Sequence, residues 1–390
     1  MEAFTFNTAE IILLSGLSLL CVIQFIYYVA LYNRIHRRNV ACRKEEIHFT
    51  SECLPLSVVI CARNESENLL RNLPSVLEQD YPNFEVVVIN DGSTDESTQV
   101  LSDLEEKYPH LYHSFTPESA RYISRKKLAL TLGIKASKHN WLVFTEANCQ
   151  PVSNQWLRLM ARNFTPRTEI VLGYNSYERG KGWRHRYIAF DSLFNSLRYL
   201  GFALAGRPYM GMGRNMAYRK ELFFNKKGYS SHLNLQRGED DLFINQIATP
   251  TNTRVETDSN AVIRMRAIER HKDWKEEKMS YLATSRCFKG FQRYLLGFET
   301  TSRLLFYATF IATLVFSIMN LHYLTTGIAL FLFFIRYLTQ AIVINKTATD
   351  MNDARHFYLT LPLFDLIQPL KSLHYRLYRL YRGKGDFMRR

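Results

Sequence analysis

Leu56-Ser57-Val58-Val59-Ile60-Cys61-Ala62-Arg63-Asn64-Glu65 is followed by Phe84-Glu85-Val86-Val87-Val88-Ile89-Asn90-Asp91-Gly92-Ser93-Thr94-Asp95. Each run is apolar and β-branched, then stops at charged or turn-forming residues. A strand buried on both faces reads this way, delivering polar groups at its carboxyl end. Between the two runs Ser66 reads as an N-cap, and Leu69, Leu70, Leu73, Val76 and Leu77 fall on one helical face. The unit is βαβ, and open α/β sheets bind ligands beyond the carboxyl ends of such strands.

The polar endings indicate what that ligand offers. Carboxylates at Glu65, Asp91 and Asp95 suit donors such as a nucleobase or ribose hydroxyls. No Gly-x-Gly-x-x-Gly and no Gly-Lys-Ser/Thr loop is present, which excludes the glycine-rich phosphate cradles. Asp91-Gly92-Ser93 also reads simply as a turn, with Thr94 capping the next helix. Paired with Ala62-Arg63-Asn64-Glu65, however, it resembles the opening of the family 2 glycosyltransferases. The resemblance implies an α/β GT-A fold with a mostly parallel sheet, flanked here by transmembrane helices. It assigns Ala62, Arg63, Glu65 and Asp91 to nucleotide-sugar binding.

The 47% apolar content of the 390 residues is unevenly spread. Residues 11–33 carry no charge and are long enough to cross a bilayer as a helix. A cleaved signal peptide is the rival, but no basic segment precedes the stretch and no small-residue cleavage site follows. A second uncharged stretch, Leu304 to Ile335 with Tyr337–Ile344 beyond it, is too long for one crossing. Its polar centre, Asn320 to Thr326, predicts helices over 304–320 and 325–344 joined by a tight hairpin. Arg336 either snorkels to the interface or faces the bundle and meets an anionic lipid group.

Arg34, Arg37, Arg38, Arg303 and Lys346 flank these spans, while the hairpin tip has no Lys or Arg. By the positive-inside rule the region between the spans is cytoplasmic and the protein is a multi-pass cell-membrane protein. Six cysteines without paired or CxxC spacing agree with a reducing compartment. The +14 net charge is concentrated partly in the tail from Lys371 to Lys384, where bases alternate with aromatics. An anionic leaflet is the expected partner of such a segment, and nucleic acid is not. The predicted organisation is an anchor over 1–38, a cytoplasmic catalytic domain over 50–300, a hairpin over 304–345 and a membrane-surface tail over 346–390.

Further motifs extend the resemblance across roughly residues 50–300. Arg125-Lys126-Lys127 opens a helix similar to the family's lysine-bearing helix, and Lys126 is assigned to the nucleotide sugar. A solvated basic turn is the bland alternative for both lysines. Strand Trp141-Leu142-Val143-Phe144-Thr145 ends in Glu146-Ala147-Asn148, where the family has Asp-x-Asp for ribose and a divalent cation. Glu146 and Asn148 are oxygen donors for Mg²⁺ or Mn²⁺, with one formal charge lost. Gly211-Met212-Gly213-Arg214-Asn215-Met216 lets the backbone approach a ligand, with Arg214 and Asn215 as donors to phosphate or sugar.

Gly238-Glu239-Asp240-Asp241 resembles the family's acidic catalytic motif. Clustered, partly buried carboxylates raise one another's pKa, as a general base requires. Asp240 ranks first for that role, Asp241 second and Glu239 third. The family's closing basic motif is shortened in Trp274–Arg286, with Arg286, Lys289 and Arg293 just beyond. The expected activity is an inverting glycosyl transfer from a nucleotide-sugar donor to a lipid-linked or polysaccharide acceptor. A noncatalytic descendant that binds nucleotide or scaffolds a membrane complex is the alternative, and a processive synthase a weaker one, since three helices are few to line a channel.

Overall fold

The computed structural model describes residues 6–117, 124–353 and 355–382, with the side chains of 379–382 left aside. Lys384 and Arg390 of the basic tail therefore lie outside the described residues. The chain opens with α1 (Thr8–Ile26), a π-helical turn over Tyr27–Tyr32, and α2 (Arg34–Arg43). Strand β1 (Leu56–Ala62), α3 (Ser66–Leu77) and β2 (Phe84–Asn90) follow, then α4 (Ser97–Lys107), β3 (Leu111–Phe115), α5 (Arg125–Ala136) and β4 (Trp141–Glu146). Next come β5 (Cys149–Pro151), α6 (Trp156–Ala161), β6 (Ile170–Leu172), β7 (Asn175–Tyr177), α7 (Trp183–Leu204), β8 (Met216–Arg219) and α8 (Lys220–Asn225). The domain closes with α9 (Asp241–Ile247), β9 (Thr253–Val255), β10 (Ile263–Met265) and α10 (His271–Thr284), before α11 (Gln292–Met319), α12 (Tyr323–Asp350) and α13 (Leu361–Arg382).

Seven strands form one sheet in the order β3-β2-β1-β4-β8-β6-β9. The pairs β1–β2, β1–β4, β2–β3 and β6–β9 are parallel, and only β8 runs antiparallel to both neighbours. Strands β5, β10 and β7 form a small second sheet. Alternation decides which face each side chain enters. Val58, Ile60, Val86, Val88 and Val143 pack toward α3, α4 and α6, whereas Val59, Leu142 and Phe144 pack toward α7 and α9. Both faces are thus buried, which is why the strands carry continuous apolar runs.

Four local expectations are corrected. Ser66 is the first helical residue and not the cap; its N–H is taken by Asp95 Oδ2 at 3.0 Å. Asp95 Oδ1 also accepts from Ser97 N at 3.1 Å, so Asp95, and not Thr94, caps α4. Asp95 is consumed by this turn rather than offered to a ligand. On α3, Leu69, Leu73, Val76 and Leu77 are buried, but Leu70 is 59% exposed, because it lies on the opposite rim of the stripe.

Thr8–Arg43, Gln292–Met319 and Tyr323–Asp350 are long and apolar enough to cross a membrane. The hairpin is three residues, Asn320 to His322, and both of its helices run past the expected limits. The α/β domain is not hung on these helices by a tether. Tyr28, Tyr32 and Ile35 of the first span and Val343 and Ile344 of α12 belong to the same apolar core as the sheet's lower face. His36 and Arg43 also pair with Asp350, at 2.6 and 3.0 Å.

Arg336 faces the bundle, but its partner is protein: Nη2 lies 2.6 Å from Asp365 Oδ2 on α13. Arg303, counted among the flanking charges, is buried inside α11 and holds the other Asp365 oxygen at 3.1 Å. Tyr307 and Gln340 donate to Asp365 as well, at 2.8 and 3.2 Å. A buried carboxylate needs such complete satisfaction, and this one fastens α13 to the helical bundle. The outer side of α13 leaves Leu363, Leu370, Leu373 and Leu377 exposed, at the spacing of one helical face.

Candidate active site

The carboxyl ends of β1, β2 and β4 open onto a cleft of about 680 Å³ whose wall includes Arg63, Glu65, Asp91, Lys126, Glu146 and Asn148. The β1 and β2 ends are laced together before any ligand arrives. Asn64, at φ +53°, accepts from Thr94 N at 2.8 Å and donates its own N–H to Ser93 Oγ at 2.9 Å. Asp91 ends β2, is 3% exposed and accepts from Thr116 Oγ1 at 3.0 Å and Arg125 Nε at 3.1 Å. Ala62 contributes backbone only, its carbonyl receiving Asp91 N at 2.8 Å. Arg63 is exposed at the rim, and burial pushes the Glu65 carboxyl upward against the Asn68 amide that stabilises its charge.

Helix α5 points its first turn at the cleft. Lys126 Nζ bridges Glu146 Oε1 at 2.7 Å and Glu239 Oε1 at 3.0 Å. Arg214 Nε takes Glu146 Oε2 at 2.8 Å and its Nη1 takes Glu277 Oε1 at 2.9 Å. A chain of alternating charge results: Glu239, Lys126, Glu146, Arg214, Glu277. Burial lowers the Lys126 ammonium, but Glu146 and Glu239 outweigh it and hold its pKa above the ordinary lysine value. Burial likewise raises Glu146, and Lys126 and Arg214 overcome it, keeping the carboxylate ionised. Neither Lys126 nor Lys127 is a solvated surface charge. Lys127 is fully buried, donating to the carbonyls of His232 and Leu235 at 2.6 and 2.8 Å, and burial pushes it down to about 8.

The acidic triplet divides into three roles. Glu239 is nearly sealed, and although burial raises its pKa, Lys126 and Arg237 bring it below the ordinary value. Asp241 is 1% exposed; burial, then the neighbouring Asp240 charge, raises its carboxyl well above the ordinary value, and Thr284 donates to it. Enclosed and engaged by the Thr284 hydroxyl, it is less open to an acceptor than Asp240. Asp240 is half-buried at a second chamber of about 220 Å³ that adjoins the first through Lys126, Glu146 and Arg214. Its Oδ2 accepts from Gly213 N at 3.0 Å and faces the Tyr281 hydroxyl at 3.5 Å. A side chain at 213 would put its Cβ 3.3 Å from Asp240 Cβ, so the glycine gives this carboxylate its seat. Burial and the Glu239 charge raise the Asp240 pKa.

Asn215 does not reach the cleft. It has no exposed surface, accepts from Trp156 Nε1 at 3.0 Å and donates to the carbonyls of Tyr174 and Ala261 at 2.7 and 2.9 Å. It ties β8 to its surroundings, and Arg214 alone of that pair points inward. For a divalent ion the residues do not fit as they stand. Both Glu146 oxygens are engaged by cations, Asn148 brings one neutral amide, and no group of three or more His, Cys, Asp or Glu is placed to hold a metal among the described residues.

Four contributors escape a reading of the sequence. Arg125 stands inside a quoted segment and Arg237 immediately before another. Glu277 and Tyr281 are one turn apart on α10, and a spacing of four on an amphipathic helix was their signal. The family's basic motif is read as shortened in this helix, and what the helix brings to the site is a carboxylate and a phenol.

Residues 57–224 match glycosyl transferase family 2, so the chain carries a family 2 glycosyltransferase domain. It is 26% identical over 132 residues to a poly-β-1,6-N-acetyl-D-glucosamine synthase of Staphylococcus epidermidis, covering 34% of this chain and 30% of that protein. A Haloferax volcanii glycosyltransferase is 28% identical over 144 residues, 35% of this chain and 45% of its own length. The chain thus spans less than half of either relative. A mannosyltransferase from Pyrobaculum calidifontis, solved with GDP-Man and Mn²⁺, superposes with a TM-score of 0.53 at 17% identity. That alignment covers 87% of this chain and all of the other, and it shows a shared fold.

Proposed function

We propose that this chain, a carrier of the family 2 domain, is a membrane-anchored inverting glycosyltransferase. It moves a sugar from a nucleoside-diphosphate sugar to a lipid-linked or polysaccharide hydroxyl, on the cytoplasmic side of a cell membrane. The observation that supports this most is the seat of Asp240: a carboxylate held by a backbone N–H and facing a chamber that adjoins the large cleft. The nucleoside lies against Asp91 and Glu65, and the diphosphate points toward Lys126, Arg214 and Arg237. Asp240 takes the acceptor proton, the acceptor oxygen attacks the anomeric carbon from the face opposite the diphosphate, and the sugar–phosphate bond breaks. Negative charge grows on the departing diphosphate. Lys126 and Arg214 supply the opposing charge by exchanging Glu146 for phosphate oxygens, so no step is assigned to a metal.

A scaffold that only binds nucleotide is the second reading, and the saturation of Glu146 by two cations is what favours it. Turnover separates the two. Purified full-length protein is incubated with a panel of UDP- and GDP-sugars, with and without EDTA, and free nucleoside diphosphate is measured. Release from one donor, undiminished by chelator, is expected. Donor binding without turnover across the panel would assign the chain to the scaffold reading.

A further inference from the structure

A cavity of about 510 Å³ lies on the membrane side of the site, between α7, α10, the start of α11 and α13. Its charges are unbalanced. Arg198 and Lys278 are neutralised by Glu299 and Asp191. Arg286, Arg293, Lys371 and Arg376 line the same cavity, and among the described residues none has a carboxylate at ion-pair distance. Lys371 also lies over the Tyr187 ring at 3.9 Å and is drawn by the Asp191 charge, and Arg293 lies over the Tyr294 ring at 4.6 Å. Four cations with no carboxylate at ion-pair distance among the described residues, gathered around one concavity, favour an anion, and guanidinium groups favour phosphate through paired N–H donors.

The mouth has the opposite character. Phe291, Tyr294 and Phe298 at the start of α11 are 63%, 57% and 52% exposed, and Leu370, Leu373 and Leu377 line the outer side of α13. From there α11 continues as a candidate membrane span. Inward, the cavity and the Asp240 chamber share Tyr281 as a wall, and its hydroxyl faces Asp240 Oδ2 at 3.5 Å. Cations inside, apolar surface beside a candidate membrane span and a wall shared with the Asp240 chamber together define a site with two ends.

We propose that this cavity binds an anionic amphiphile, a phosphate or diphosphate on a hydrocarbon chain. The headgroup rests on Arg286, Arg293, Lys371 and Arg376, and the chain leaves along α11 and α13 into the membrane. Taken with the transferase reading, on which this part rests, the site is the acceptor subsite and the acceptor is a lipid phosphate.

Native mass spectrometry of the full-length protein in neutral detergent tests it, with dodecyl phosphate, dodecanol and inorganic phosphate as probes. All measurements use an Asp240→Asn background, so a failure here leaves the transferase reading standing and a failed transferase leaves this site testable. One saturable dodecyl phosphate adduct is expected, with about a tenfold or greater loss of affinity in Arg286→Gln/Arg293→Gln/Lys371→Gln. The Arg286→Lys/Arg293→Lys protein, which keeps the charge, is expected to retain the adduct, which separates loss of charge from loss of fold. Unchanged affinity in the triple variant overturns the proposal. So does equal binding of dodecanol, which would mark a merely apolar groove, or displacement by equimolar inorganic phosphate, which would mark a site for free anions.

Discussion

The cleft at the strand ends and the cavity on the membrane side are both lined with arginine and lysine, yet their charges are kept differently. In the cleft, Lys126 and Arg214 are held between Glu239, Glu146 and Glu277. In the cavity, four cations have no carboxylate at ion-pair distance among the described residues. A balanced cluster is rigid and stays ionised when dry, so its charges can be handed to a ligand in fixed geometry. An unbalanced one, with Arg286, Arg293 and Arg376 exposed to solvent, keeps its N–H donors open to an anion. On the proposed function, the difference separates groups that would take part in the reaction from groups that would hold a ligand in place.

The contrast is broken most severely at Lys126. Lys126→Met leaves Glu146 and Glu239 facing one another without a cation, and we expect kcat to fall about 10²–10³-fold while the melting curve keeps its shape. A loss of only a few fold would mean that the balance is structural. Asp91→Ala comes next. Removing a charged partner at the end of β2 weakens nucleoside diphosphate binding about 10–100-fold by calorimetric titration. Asp95→Ala should lower the melting temperature with little change in that affinity, because its carboxylate serves the α3 and α4 N-termini.

The pH profile sharpens the same contrast. Because burial and Glu239 raise the Asp240 pKa, the base is protonated and lost as pH falls through a value above the ordinary 3.8. The acidic limb of kcat/KM should therefore sit higher than for an isolated aspartate. The smallest effect is expected at Lys127, which holds the His232–Leu235 loop from below. Lys127→Met should raise the donor KM a few fold, and an unchanged KM would detach that loop from the cleft.

Much of this was legible because it is written locally. Val58 to Ile60 and Val86 to Ile89 announce two-sided burial, and the chemistry begins where those runs end. Glycine at 213 followed by Arg214, and three carboxylates at 239–241, mark the site in the same direct way. The remainder depends on which way a residue faces after long-range packing. Asn215 and Arg214 are adjacent, yet the amide turns into the core while the guanidinium turns out. Arg336 is matched by Asp365, an acid in a later helix that no spacing rule connects to it. The partners of Glu146 lie 20 and 68 residues away along the chain, so its saturation could not be read from Glu146-Ala147-Asn148.

The central claim is that Asp240 acts on the acceptor proton while the charge chain beside it holds the donor. The most direct measurement is the split between binding and turnover in Asp240→Asn, with the donor Kd taken by calorimetry and kcat by release of nucleoside diphosphate in the presence of acceptor. The account predicts a donor Kd close to that of the unaltered protein and a kcat lowered about 10²–10⁴-fold. A variant that turns over at the original rate would contradict it.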